Sequence, residues 1–165
     1  SNVNRHGELT MSKESCNTCH HSQNKKNESC EKCHSFQSQV YNGSYMNKNQ
    51  PDFMKTGGSL CIDCHISSDK VVKPDSKICS KCHDAGYDEM MGEWKADVKK
   101  LAGEVNELLA GINSSELNEE QKSEIKEIKR VVSDINSHPS IYVHNYDLLS
   151  SLLSEKKKKL KAMSK

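Results

Sequence analysis

Eight cysteines in a chain of 165 residues fall into four pairs at one spacing, and every pair is followed directly by a histidine. The four stretches are CNTCH at 16–20, CEKCH at 30–34, CIDCH at 61–65 and CSKCH at 79–83, and no cysteine is left over. A lone CxxC is shared by zinc sites and dithiol redox centres. A zinc site, however, has no need of histidine at the same offset after each pair. Attachment of a c-type haem requires it every time, because two thiols add to the porphyrin vinyl groups and the next residue lies under the iron as proximal ligand. Two intervening residues let both sulfurs reach one edge of the macrocycle, and the following imidazole is carried back beneath its centre. The spacing therefore reads as four covalently attached haem c groups. Cys16, Cys19, Cys30, Cys33, Cys61, Cys64, Cys79 and Cys82 are the anchors, and His20, His34, His65 and His83 are the proximal ligands.

Composition leads to the same reading by another route. Only 33% of the chain is hydrophobic and 5% aromatic, a poor supply of core for its length. Four porphyrins would add large flat apolar surfaces. Within residues 1–92 they would themselves be the core, so that segment should not fold without haem. The formal net charge is +1, and residues 1–92 hold as many Lys and Arg as Asp and Glu. The propionates of four haems would make that half acidic. Basic residues are spread along the chain with no aromatic-interleaved patch, which speaks against nucleic acid as a partner, and no stretch has the length of a transmembrane helix.

Two textures divide the chain. Residues 1–86 show no sustained helical period and read as short motifs joined by coil, with turn signals at Asn42-Gly43, Gly57-Gly58 and Pro74. Nine residues separate His20 from Cys30, twenty-six separate His34 from Cys61, and thirteen separate His65 from Cys79. Haems one and two are thus expected as close neighbours, as are three and four, with a long 35–60 loop between the pairs. From Gly86 onward Met91, Trp94, Val98, Leu101, Val105, Leu108 and Ile112 recur at steps of three and four, the stripe of an amphipathic helix. Ser114-Ser115-Glu116 offers caps for a second helix carrying Ile125, Ile128, Val132 and Ile135. A third helix is expected to open at Asn145 and carry Leu148, Leu149, Leu152, Leu153, Leu160 and Met163. The fold class expected is mostly α with much irregular coil: a haem-wrapped region over 1–92, then an antiparallel helical hairpin and a third helix over 93–165. The first stripe could alternatively be a dimerising coiled coil, but the heptad run is short.

The chain has eight histidines. With four spent as proximal ligands, His6, His21, His138 and His144 remain, and four irons need four sixth ligands. The count points to bis-histidine ligation of every haem, a state of low potential with no vacant position for substrate. Each of these histidines could instead be a surface imidazole, and methionine sulfur could replace one. His21 cannot share an iron with its neighbour His20 and is expected to reach a different haem. His138 and His144 flank the turn between helices two and three, where they would be delivered to the haems if that end of the hairpin faces them. The Lys156–Lys159 run reads either as a docking patch for an acidic redox partner or, more simply, as a solvated helix end.

The four CxxCH motifs resemble those of a multihaem cytochrome c, and CNTCHH with an upstream histidine is similar to the start of the class III cytochromes c. The long helix, second helix and Val143-His144-Asn145 opening a final helix resemble instead the tail of the multihaem family of ammonia-forming nitrite reductase and hydroxylamine oxidoreductase. All four motifs keep histidine, without the lysine replacement that marks the catalytic haem of the nitrite reductases. The resemblance implies haems packed into an electron wire, periplasmic or extracellular location with a removed signal, and redox proteins as donor and acceptor. Three functions follow as expectations: a tetrahaem carrier passing single electrons to a redox partner or a terminal or extracellular acceptor; a reductase of nitrogen or sulfur oxyanions with one open iron site; and a filament or complex subunit in which a distal histidine, with His6 best placed, crosses to a neighbouring chain.

Overall fold

The computed structural model describes residues 30–67, 70–113, 115 and 117–163. The first attachment motif with Cys16, Cys19 and His20, and the candidate ligands His6 and His21, lie outside the described residues.

The described chain is mostly helical. After a 3-10 turn at Cys30–Lys32 come α1 (Ser35–Tyr41), a 3-10 turn at Tyr45–Asn47, α2 (Phe53–Thr56) and α3 (Cys61–His65). A two-stranded ribbon, β1 (Ile66–Ser67) and β2 (Lys70–Val71), pairs Ile66 with Val71 in antiparallel register. A 3-10 segment at Ser76–Lys81 leads into three long helices: α4 (Tyr87–Ala110), α5 (Glu119–Ser137) and α6 (Tyr146–Met163), with a 3-10 turn at Ile141–His144 before the last. The segment between the second and third motifs, expected as a loop, is therefore folded. Its alternation of helix and turn is too short to show a period in the sequence.

The apolar stripes find one another as the helical period requires. Val98, Ala102 and Val105 of α4 are buried with Ile125, Ile128, Val131, Val132 and Ile135 of α5 and Leu148, Leu149, Leu152, Leu153 and Leu160 of α6. Trp94 stacks on Tyr146, with ring centres 5.4 Å apart. Polar contacts fix the directions. Tyr146 donates to Asp97 at 2.8 Å and Lys157 to Glu104 at 2.7 Å, so α6 runs along α4 in the same sense. Lys156 reaches Glu127 as well as Glu124, and Lys159, one turn on, reaches back to Glu124 at 2.9 Å, so α5 runs against both.

That network revises the reading of the Lys156–Lys159 run. Lys156 is 3% exposed and sits between Glu124 and Glu127, Lys157 pairs with Glu104, and Lys159 pairs with Glu124 and Glu155. These three ammoniums clamp the helices together, while Lys158 stays exposed, so the run is only in part a solvated helix end. The cap of α5 also differs: Asn118 accepts from the Gln121 backbone N–H at 2.9 Å while the Gln121 side chain accepts from that of Asn118 at 2.9 Å, a reciprocal capping box four residues beyond Ser114.

The 35–59 segment docks on this bundle. Val40 and Tyr45 join the core, and Tyr45 donates to Asp134 of α5 at 2.7 Å. Gly43 turns the chain with φ +75°; a Cβ there would lie 2.1 Å from the Gln50 carbonyl carbon, so both the backbone angle and the close approach demand glycine.

Candidate haem-binding site

Each described motif forms a single turn of helix, and this explains the spacing. The His34 N–H donates to the Cys30 carbonyl at 2.9 Å and the His83 N–H to that of Cys79 at 2.9 Å, while Cys61–His65 is α3 itself. Positions i, i+3 and i+4 of a helical turn share one face. Both thiols and the imidazole of each motif are thereby offered to one flat ligand. Asp63, inside the third motif, secures its turn by accepting from the Leu60 N–H at 2.8 Å.

None of these turns contributes a buried residue to the core. Cys30, Cys33, Cys61 and Cys82 are exposed and Cys64 and Cys79 half-buried, all as free thiols. Around the third motif Phe53, Leu60 and Ile62 are 80%, 56% and 51% exposed, a run of apolar surface that a porphyrin would cover. The motifs also lie close to one another. Cys61 sits beside Cys30, and Cys64 lies within electrostatic reach of Cys79 and Cys82; burial first, and these thiols second, push the Cys61 and Cys64 thiols above their ordinary pKa. The second motif thus reaches the third across the folded 35–60 segment, rather than being held apart from it.

The histidines are individually constrained. The ribbon returns Val72 to His65: the Val72 N–H donates to the His65 carbonyl at 2.8 Å, and His65 Nδ1 lies 3.1 Å from the Val72 carbonyl oxygen. A carbonyl can only accept, so Nδ1 carries the proton and Nε2 keeps its lone pair for a metal. His138 is set in the same tautomer by the Asp134 carbonyl at 2.8 Å, with its ring against Phe36 at 4.7 Å. His83 stacks on Tyr87, the first residue of α4, at 4.0 Å, and Cys79 Sγ lies 3.4 Å from Met91 Sδ. The fourth motif therefore leans on the start of the long helix.

His144 is the least satisfied of them. Its ring lies nearly parallel to that of His65, with centres 6.2 Å apart and planes 14° from each other. Its Nδ1 is buried and makes no well-formed hydrogen bond. Burial holds the imidazole below its usual pKa and the neighbouring His65 adds to that, against the weaker pull of the Ser140 and Ile141 backbone, so the neutral form is favoured. His138 and His144 border one cleft, closed on its other sides by Gln37, Lys73 and Ile141.

Sequence reasoning missed the residue that places His144. Asn145 is 1% exposed; its Oδ1 accepts from the Leu148 N–H at 3.0 Å as the cap of α6, while its Nδ2 donates to the carbonyls of Val40 at 3.1 Å and Gln50 at 2.7 Å. The capping role is legible in the sequence. The two bonds that tie α6 to the segment before the third motif carry no local signal, since their partners are backbone atoms about a hundred positions away.

Among the described residues no three His, Cys, Asp or Glu side chains gather to hold a metal ion by themselves. What the chain offers instead, paired thiols on one face of a turn with single oriented imidazoles, fits a metal whose equatorial ligands come from a macrocycle. The model of the class III cytochrome c family matches residues 2–91. The match ends before the helical part, and no nitrite reductase or hydroxylamine oxidoreductase is found there. No curated protein and no solved structure matches the chain.

Proposed function

Taking as premise that the chain belongs to the class III cytochrome c family, multihaem electron-transfer proteins that bind haem c covalently and exchange electrons with redox partners, we propose that it is a tetrahaem carrier. One electron at a time enters and leaves at porphyrin edges, and bis-histidine ligation keeps every iron closed to substrate. The haems are held by Cys16 and Cys19, Cys30 and Cys33, Cys61 and Cys64, and Cys79 and Cys82. Proximal imidazoles come from His20, His34, His65 and His83, and distal ones from His6, His21, His138 and His144. Residues 1–92 carry the haems; residues 93–165 cover them and bring two of the distal ligands.

The observation that carries this reading is the convergence of the motifs. With Cys30 beside Cys61, and Cys64 within electrostatic reach of Cys79 and Cys82, haems attached at these three motifs would be near neighbours, and electron tunnelling falls off steeply with the gap between edges. The chain's own work is orientation: the Val72 carbonyl fixes His65, the Asp134 carbonyl fixes His138, and Tyr87 packs on His83. A bound haem supplies the redox couple. No helix among the described residues is long and apolar enough to cross a membrane, and location outside the cytoplasm, where c-type haem is attached, completes the proposal. Donor and acceptor are partner redox proteins or an extracellular acceptor.

Mass spectrometry and coulometry test it together. The holoprotein should exceed the polypeptide by four haems, take up four electrons and bind no carbon monoxide once reduced. Fewer haems would overturn the count, and turnover of nitrite at an open iron would overturn the carrier reading.

A further inference from the structure

Two imidazoles bound to opposite sides of one iron have a fixed separation. A metal–nitrogen bond is about 2 Å and the imidazole centre lies about 1 Å further out, so the two ring centres stand about 6 Å apart on one line through the metal. Rings in direct stacking contact are much closer, as His83 and Tyr87 are at 4.0 Å. His65 and His144, with centres 6.2 Å apart and planes within 14°, have the separation of an axial pair and too much space for a stack.

We propose that His144 is the sixth ligand of the haem attached through Cys61 and Cys64, on the face of its iron opposite His65. This rests on the haem-carrier reading above and adds the pairing that reading leaves open. Three further observations support it. The His65 tautomer, fixed by the Val72 carbonyl at 3.1 Å, leaves Nε2 as the only nitrogen able to bind metal. The His144 ring is buried and its Nδ1 makes no well-formed hydrogen bond there, so no strong polar partner competes for the imidazole. Its backbone is not free to move away: Ile141, at the head of the same 3-10 turn, is 2% exposed, and Asn145 on the other side is pinned to Val40 and Gln50. The alternative donor in the helical region is engaged elsewhere, since the His138 ring packs on Phe36, next to the second motif, at 4.7 Å.

The pairing has a consequence for assembly. Covalent attachment at Cys61 and Cys64 is local, but closure of that iron requires a residue 79 positions beyond His65 in the sequence. The third haem becomes low-spin only when α6 and the turn before it have docked, so its spin state reports docking of the helical region.

The test is electron paramagnetic resonance of purified holoprotein with carbon monoxide titration. His144→Ala should keep four haems by mass, convert one of the four to high spin in the oxidised protein, bind one equivalent of carbon monoxide after reduction with dithionite and return to low spin when imidazole is added. In protein carrying C61S and C64S, which should hold three haems by mass, His144→Ala should add no high-spin signal. Four unperturbed low-spin haems in the single variant would overturn the proposal, as would a new high-spin signal in the three-haem background, which would assign His144 to another iron. A high-spin signal that imidazole does not quench would show a folding role instead and would equally overturn it. A haem count other than four in the wild-type protein would count against the carrier reading, separately from the pairing.

Discussion

Replacing Asn145 with alanine removes three hydrogen bonds made by a buried side chain, and the partners decide how much each loss costs. Leu148 is fully buried, and its N–H would lose the Asn145 Oδ1 acceptor without replacement; an orphaned buried donor costs about 1–3 kcal/mol. The Val40 carbonyl would keep a second partner, the Gly43 N–H at 3.1 Å. Gln50 is exposed overall, so its carbonyl can be rehydrated. Those two bonds therefore cost only their net worth, about 1 kcal/mol each. The sum is about 3–5 kcal/mol, a large part of the stability of a domain this size. Asn145→Asp restores the acceptor for Leu148 but sets a carboxylate against two carbonyl oxygens, so at neutral pH it should be no better than alanine. Denaturant unfolding of the holoprotein, followed by circular dichroism and Trp94 fluorescence, measures both variants. A loss below about 1 kcal/mol for Asn145→Ala would show that the cross-link does not hold the helical region to the 35–59 segment.

Gly43→Ala places a methyl group against the backbone of Gln50 and Pro51 at a positive φ. The left-handed strain alone is about 1 kcal/mol and the overlap adds about 1–3; unchanged thermal stability would mean that the turn opens freely. For Glu124, burial works to raise the carboxyl pKa, but the Lys156 and Lys159 ammoniums outweigh it and hold it below the ordinary value. A depressed folded pKa means stability that is fully present above the unfolded value, about 4.3, and lost as pH falls through the lower folded one. The stability difference between wild type and Glu124→Gln should therefore narrow as pH falls below the unfolded value of about 4.3, and parallel pH profiles would refute the assignment.

The three long helices are legible in the sequence because their burial repeats along the chain: every third or fourth position from Val98 to Val105, from Ile125 to Ile135 and from Leu148 to Leu160 faces the same core. The short elements are not. α1 has seven residues and α2 four, less than the length over which a period can be recognised, and their shape depends on Gly43, Tyr45 and Asn145 meeting partners far along the chain. The lysine run shows the same division. Its charge is written in the sequence, but whether water or Glu104, Glu124 and Glu155 neutralises it depends on which helices lie alongside.

The haem chemistry of this protein belongs to the sequence, because attachment is a local event. Two thiols and an imidazole at i, i+3 and i+4 of one turn make a complete proximal site, whatever the rest of the chain does. Any histidine can bind iron, so the sequence could nominate His138 and His144 as distal ligands, with His144 ranked first, but could not assign either to a particular haem. Their separation into one ring against Phe36 and another 6.2 Å from His65 was decided by tertiary structure alone. The side a helix presents to a haem is set by the packing of three apolar stripes, the direction of the ion pairs between α4, α5 and α6, and one buried amide that ties the start of α6 to Val40 and Gln50. None of these interactions is local in sequence, and together they choose which imidazole stands opposite which motif.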